Sequence, residues 1–164
     1  MSHAISNNEA FFKHLLHEYQ QALYWHIRHI VGCHEDAEDA LQETFLRAYR
    51  HLDKLREESS EKSWLYRIAT NESLRLLENR RTTDDVADYH LVQDETPDYD
   101  NLQQALVTAI NRLPPRQRAV FCMRYYDELS YEDIAFATDS NVKAVTANFH
   151  HAKERIRQYL LAIC

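Results

Sequence analysis

Glycine is almost missing from this chain: Gly32 is the only one in 164 residues, and only three prolines accompany it. A sandwich or barrel of short strands needs a turn roughly every 8–12 residues, so this scarcity excludes a turn-rich β fold. No apolar run approaches the length of a membrane span. The N-terminal stretch MSHAISNNEAFFKH is polar and broken by charges, so no signal peptide is expected there. The three cysteines, Cys33, Cys122 and Cys164, are widely spaced and odd in number. They suit a reducing cytosol rather than a disulfide scaffold. A basic excess is lacking too: the formal net charge is −7, which argues against nucleic-acid binding by the whole surface. Catalytic signatures are equally scarce. There is no His-Glu-x-x-His motif, no glycine-rich phosphate loop and no Glu followed three residues later by His.

What remains is helical pattern, and its most informative stretch is 128–157. Ser130 is placed to cap a short helix, with Asp133 three residues on to complete a capping box. Leu129, Ile134 and Ala135 give that helix apolar contacts. Thr138, Asp139 and Ser140 then supply turn chemistry, and Asn141 is a good N-cap for a second helix. The second helix carries two stripes at steps of three and four. Val142, Val145, Phe149, Ala152 and Ile156 form the apolar one; Lys143, Thr146, His150, Lys153 and Arg157 form the other. A short helix, a turn and a longer helix with donors early and cations nearby is the pattern of a major-groove reader. An amphipathic helix with a merely solvated polar face is the alternative on this window alone.

The rest of the chain alternates helices and breaks. Phe11, Leu15, Tyr19, Ala22, Leu23, His26 and Ile30 predict a helix over Asn8–Val31, and Gly32 sits where a helix end wants a left-handed residue. A second helix is expected over Glu35–Leu52, burying Ala37, Leu41, Thr44, Phe45, Ala48 and Leu52. Asp39, Gln42, Glu43, Leu46 and Arg50 share its other face. A polar loop follows at Arg56–Ser60. A third helix is expected over Glu61–Arg81, burying Trp64, Leu65, Ile68, Ala69 and Leu76. Its stripe Arg67, Asn71, Arg75 and Glu78 is exposed by spacing, and Trp64 and Tyr66 add aromatic surface among the cations. Such interleaving can stack unpaired bases while arginine holds phosphates, although a core tryptophan beside a solvated face fits the same residues.

Between Asp84 and Asp100 stand seven acids with no Lys or Arg. With Pro97 and low hydrophobicity this reads as a flexible connector, in which Val86, Tyr89, Leu91 and Val92 are the residues able to dock. Helical periodicity resumes over Leu102–Leu113, stops at Pro114–Pro115 and restarts with proline at a first helical position. Val120, Phe121 and Met123 pack the helix that follows. The expected architecture is all-α: two small helical domains, 1–82 and 101–164, joined by an acidic linker, 83–100.

Three stretches, DAEDALQETFLRAYRHL at 36–52, SWLYRIATNESLRLL at 63–77 and INRLPPRQRAVFCMRYYDELSYEDIA at 110–135, match one family in order and separation. Together with VKAVTANFHHAKERI they make the chain resemble the ECF-type (extracytoplasmic function) sigma factors of bacterial RNA polymerase, from about Glu9 to Leu161. The resemblance implies a non-enzymatic, cytoplasmic initiation subunit without cofactor or metal, which binds core RNA polymerase and promoter DNA and answers to an anti-sigma factor. It implies that Asp39, Gln42, Glu43 and Leu46 face the polymerase. Trp64, Arg67, Asn71, Arg75, Arg80 and Arg81 would capture the minus-ten element, with Asn71 near a flipped base. Asn141, Lys143, Ala144, Thr146, Ala147, Asn148, His150, His151 and Lys153 would meet the minus-thirty-five element, where Asn148 or Asn141 is suited to adenine. The acidic linker would thread the RNA path. The chain departs from the family at Asp139, where glycine is common, and at Thr146, Ala147 and Asn148, where Lys, Arg and Ser are common.

Three other readings fit part of the residues. A stand-alone helix-turn-helix regulator explains 128–157 but neither the 64–77 stretch nor the Asp39 face. A sigma-like interaction protein fits the thinly charged reading helix. A carboxylate-bridged metal protein draws on Glu35, Asp36, Glu38, Asp39 and ten histidines, and His29 and Cys33 lie four apart. That last reading lacks the inward Glu-x-x-His pairs of such bundles and the four ligands of a structural zinc site.

Overall fold

The computed structural model describes residues 2–57, 61–83 and 101–163, and every regular element among them is an α-helix. The first module holds α1 (Ser2–Val31), α2 (His34–Arg50), a short α3 (Leu52–Glu57) and α4 (Glu61–Thr83). The second holds α5 (Asn101–Asn111), α6 (Pro115–Tyr125), α7 (Tyr131–Ala137) and α8 (Val142–Ile163). The connector residues Val86, Tyr89, Leu91 and Val92 lie outside the described residues.

Local chemistry sets most boundaries. Gly32, at φ 89°, ends α1 and turns the chain into α2. Pro115 opens α6 at its first turn, where its missing N–H removes no helical bond. Ser130 Oγ accepts from the Asp133 backbone N–H at 3.1 Å and caps α7. The second half of the expected capping box does not form there: the Asp133 carboxylate accepts instead from Ser63 Oγ on α4, at 2.9 Å. Asp139 takes φ 53° at the turn between α7 and α8, a conformation that aspartate tolerates better than a bulky residue. Glu128, at φ 55°, makes a second left-handed turn before α7. Where a loop is predicted at Arg56–Ser60, Leu52 and Leu55 bury and draw a further helical turn through Glu57, and the rest of that stretch, 58–60, lies outside the described residues.

The residues expected to bury from the second helix do so: Ala37, Leu41, Thr44, Phe45 and Ala48 on α2, and Leu52, which a break at His51 places at the start of α3. Leu15, Leu23, Ile27 and Ile30 of α1 and Leu65 and Ala69 of α4 complete that bundle. In the second module Ala109, Ile110, Leu113, Phe121, Cys122, Ala152 and Ile156 form a core of their own. Val142 is an exception to its stripe and stays 39% exposed at the first turn of α8. The two modules are not separate bodies. Ala119, Val120, Met123, Leu129, Ile134, Ala137 and Val145 belong to the same apolar cluster as the first module's core. The packing runs α1 on α6 and α4 on α7.

Candidate nucleic-acid and polymerase interfaces

Three surfaces carry the sequence-predicted residues. The first is the outer face of α2. Asp39, Gln42 and Leu46 are exposed there and Glu43 is half-buried, in an ion pair with Arg47 at 3.5 Å. Leu46 is 47% exposed and Tyr49, one turn on, 52%. A leucine and a tyrosine left open beside two acids and an amide make a surface that can bury apolar area against a partner and steer it by charge. Tyr49 packs its ring edge against Phe12 of α1, at 5.2 Å between centroids. It continues the stripe of Asp39, Gln42 and Leu46, and that spacing alone would have singled it out.

The second surface is α4. Asn71 and Arg75 are exposed. Arg75 pairs with Glu72 at 3.1 Å, and Glu72 also takes Arg47 of α2. Trp64 and Arg67 are placed otherwise: both are half-buried beneath the second module. The Trp64 ring meets Phe136 of α7 edge-on at 4.9 Å. The Arg67 guanidinium lies over the Phe136 ring at 4.9 Å, donates to the Phe136 carbonyl at 3.4 Å and faces Asp139 at 3.6 Å. Arg80 is ion-paired with the buried Asp36 of α2. The side chain of Arg81 lies outside the described residues.

Tyr66 corrects an expectation. It is 1% exposed and so adds no aromatic surface to the cations. It shares the inner face of α4 with Leu65, Ala69, Thr70 and Ser73, and its hydroxyl donates to Asp127 at 2.9 Å. Burial raises the Tyr66 phenol well above its ordinary value, and the Asp127 charge adds to that. Asp127 itself is pushed up to about 6 by burial, against the Tyr66 hydrogen bond and the Lys62 charge. His26 of α1, fully buried beside them, is pushed down to about 3 by burial and by His29. His29 in turn is pushed down to about 4 by burial and by Arg28 and Arg118. No sequence signal marked Asp127 as a contact of the first module, because the pairing spans more than sixty residues of chain.

The third surface is α8. Lys143, Thr146, Ala147, His150, His151 and Lys153 are exposed along it, and Ala144 and Asn148 are half-buried. The exposed side chains form a continuous outward stripe while Val145, Ala152 and Ile156 bury. Asn141 Oδ1 accepts from the Ala144 N–H at 2.8 Å, so half of its amide serves as the helix cap. Thr146 donates its hydroxyl to the Val142 carbonyl at 2.7 Å. Lys153 lies over the Phe149 ring at 4.9 Å and Arg157 faces Glu154 at 3.5 Å. Lys143 stands at the helix N-terminus, where backbone N–H groups also favour a phosphate.

Neither His29 nor Cys33 is disposed as a metal ligand. His29 stacks on Tyr126 at 4.5 Å, and Cys33 donates its thiol to Asp36 at 2.9 Å. No group of three or more His, Cys, Asp or Glu is gathered for a metal among the described residues. No helix among them is long and apolar enough to cross a membrane.

Comparison with known proteins agrees with this layout. Residues 15–83 match the family model for sigma-70 region 2, and residues 103–156 that for sigma-70 region 4. The chain is 33% identical over 137 residues to the ECF RNA polymerase sigma-E factor of Haemophilus influenzae, covering 74% of this chain and 72% of that protein. It is 32% identical over 165 aligned positions to the RNA polymerase sigma-H factor of Pseudomonas aeruginosa, covering 91% and 86%. In fold it is similar to the sigma factor RpoE of Bartonella quintana, solved with the anti-sigma factor NepR, at a TM-score of 0.79 and 24% identity over 91% of this chain and 96% of that one. It is also similar to CnrH, solved with the cytosolic domain of CnrY, at 0.70 and 24% over 98% and 94%. Two helical modules in the same order, an outward α8 stripe and this degree of identity along nearly the whole length place the chain in the extracytoplasmic-function group of sigma-70 factors.

Proposed function

We infer that the chain is a promoter-specificity subunit: it binds core RNA polymerase and directs initiation at particular promoters. The observation that carries this reading is the coexistence, in one chain, of an open reading helix and a separate module with its own polar docking face. A stand-alone regulator has use for the first only. Asp39, Gln42, Glu43 and Leu46 on α2 form the polymerase dock, joined by Tyr49. On α8, Lys143, Thr146, Ala147 and His150 meet base edges in the major groove, and Lys153 with His151 and the helix N-terminus at Asn141 and Ala144 hold phosphate. Asn148, half-buried, lines the margin of that contact. On α4, Asn71 and Arg75, with Trp64, Arg67, Arg80 and Arg81, hold the opened strand of the downstream element.

The reading helix is thinly charged for its task. Tethering by polymerase makes up the difference, since the second contact becomes intramolecular at high effective concentration. The chain acts without catalysis of its own, in the cytoplasm, with 1–82 and 101–164 as its working domains and the acidic stretch 83–100 in the path of RNA. Of the solved relatives named above, RpoE carries the anti-sigma factor NepR and CnrH the cytosolic domain of CnrY. A partner of that kind is therefore proposed here as well.

Run-off transcription with purified core polymerase on a library of randomised promoters tests the reading. Enrichment of two spaced elements is the expected result. Transcripts no more frequent than with core polymerase alone would overturn it.

A further inference from the structure

No sequence signal marks Glu72, yet charged side chains of two helices converge on it. It stands on α4 between Asn71 and Ser73 and is 8% exposed. A carboxylate at that depth needs positive partners, and it has two. Arg75, one turn on, donates through Nη2 to both carboxylate oxygens, at 3.2 and 3.1 Å. Arg47 of α2 brings Nε to 2.5 Å from Oε1, in an ion pair whose N–H is not aligned for a hydrogen bond. Glu43 faces the same nitrogen from one turn back on α2, at 3.5 Å.

Each guanidinium is thus held by one nitrogen. Among the described residues no hydrogen bond or ion pair occupies Arg75 Nε or Nη1, nor Arg47 Nη1 or Nη2. Those donors belong to side chains that reach solvent: the Arg75 side chain is 51% exposed and that of Arg47 35%. Two guanidiniums that share one carboxylate stand close enough to share a second anion, and the planar fork of arginine suits a phosphate. An arginine normally gives up rotamer freedom when it binds; here Glu72 has imposed much of that loss in advance. Two cations on one buried anion leave a positive excess, which half-buried Glu43 lowers from the Arg47 side only. Asn71 is exposed next to Glu72 in the chain, with Arg75 one turn beyond it on the same stripe.

We propose that Glu72 is a positioning residue of the strand-holding face: its carboxylate sets Arg47 of α2 beside Arg75 of α4 as a two-arginine clamp for one backbone phosphate of the opened strand, next to the base at Asn71. The proposal rests on the assignment of Asn71 and Arg75 to that strand, and adds Glu72 and Arg47 to it. The clamp grips the backbone and reads no base. A brace that merely joins α2 to α4 would use the same ion pairs, so the test has to follow the phosphate.

The full-length chain is bound to core polymerase, and capture of a non-template oligonucleotide is measured, from a promoter enriched in the run-off selection. One neutral methylphosphonate linkage is walked along the downstream element. In the wild type a single linkage beside the flipped base is expected to weaken capture about tenfold, the size of one charge-assisted hydrogen bond. Glu72→Gln keeps the shape and removes the charge that orders the pair. It is expected to weaken capture of the all-phosphate strand about tenfold and to make that linkage indifferent, while other linkages keep their effects. Glu72→Asp, which keeps the charge, should restore the dependence in part. Arg47→Ala and Arg75→Ala should each erase sensitivity at the same linkage, and they decide the matter if Glu72→Gln does not fold. A linkage effect that survives Glu72→Gln, or sensitivity that the two arginine variants erase at different linkages, would overturn the clamp, whatever the loss of stability. Either result leaves the sigma-factor reading intact. A wild-type chain that captures no strand with core polymerase would strike that reading, and the clamp with it.

Discussion

At the scale of single residues, the chain divides its polar side chains between those that hold the modules and those left for partners. Among the described residues Asp39 and Gln42 have no ion pair or side-chain hydrogen bond that explains their place on α2, and both are exposed. Replacing both with alanine should weaken association with core polymerase by at least tenfold and leave the unfolding free energy within about 0.5 kcal/mol, as for other surface changes. Unaltered association in a pull-down with purified core would remove them from the dock. The buried titratable groups make an opposite kind of prediction. His26 and His29 are held neutral, at about 3 and about 4, so the unfolded chain takes up protons below its ordinary histidine value of 6.5 and stability is lost as pH falls from there. Asp127 works against this: raised from 3.8 to about 6, it takes up its proton in the folded state first and offsets part of the loss. Urea midpoints at pH 7 and pH 5 should therefore drop on acidification, and drop further in Asp127→Asn, by up to about 1.4 kcal/mol per pH unit for each proton left uncompensated. Equal drops in the two proteins would show that the Asp127 carboxyl is not titrating in the folded state.

At the scale of elements, α8 is the clearest case of one helix with two duties. Val145, Ala152 and Ile156 anchor it, and the outward stripe is free to enter a groove. Lys143 and Lys153 stand ten residues apart on that stripe, about 15 Å along the axis, a span that lets the two reach different phosphates. The double replacement Lys143→Ala, Lys153→Ala should weaken upstream promoter binding on all sequences alike and reduce the salt dependence of the holoenzyme by about two in slope. Filter binding over a range of salt concentrations measures it, and an unchanged slope would place both lysines off the phosphates. Much of this was legible from sequence. The stripes, the Ser130 and Asn141 caps, the Gly32 stop and the Pro115 start are all local, set within one or two helical turns. The Asp133 carboxylate was read wrongly for the same reason: within its own segment it has only Ser130 to answer, whereas in the fold Ser63 reaches it from α4.

At the scale of the whole molecule, the apolar core runs across the module boundary, so the chain by itself is one closed body rather than two on a tether. On the proposed assignment of Trp64 and Arg67 to promoter opening, both must be uncovered for work on DNA, so binding to core polymerase should open the seam. Amide protection over residues 131–137 is expected to fall on addition of core polymerase, while that of α2, the proposed dock, rises. Protection of 131–137 that stays the same or increases in an initiating complex would mean that the modules remain closed during melting.

Read by itself, the sequence determined the helical class, the two-module order, the capped helix ends and the outward stripe of α8, because each depends on residues a few positions apart. It also carried the family, through three stretches whose order and separation survive in any packing. Only the tertiary structure decided that Tyr66 turns inward to Asp127, that Arg80 pairs with Asp36, and that Trp64 and Arg67 lie under Phe136. Those contacts join residues 44 to 72 positions apart. Which of several exposed or buried partners a side chain meets at such a distance is set by how whole helices pack, and helical periodicity holds no record of it.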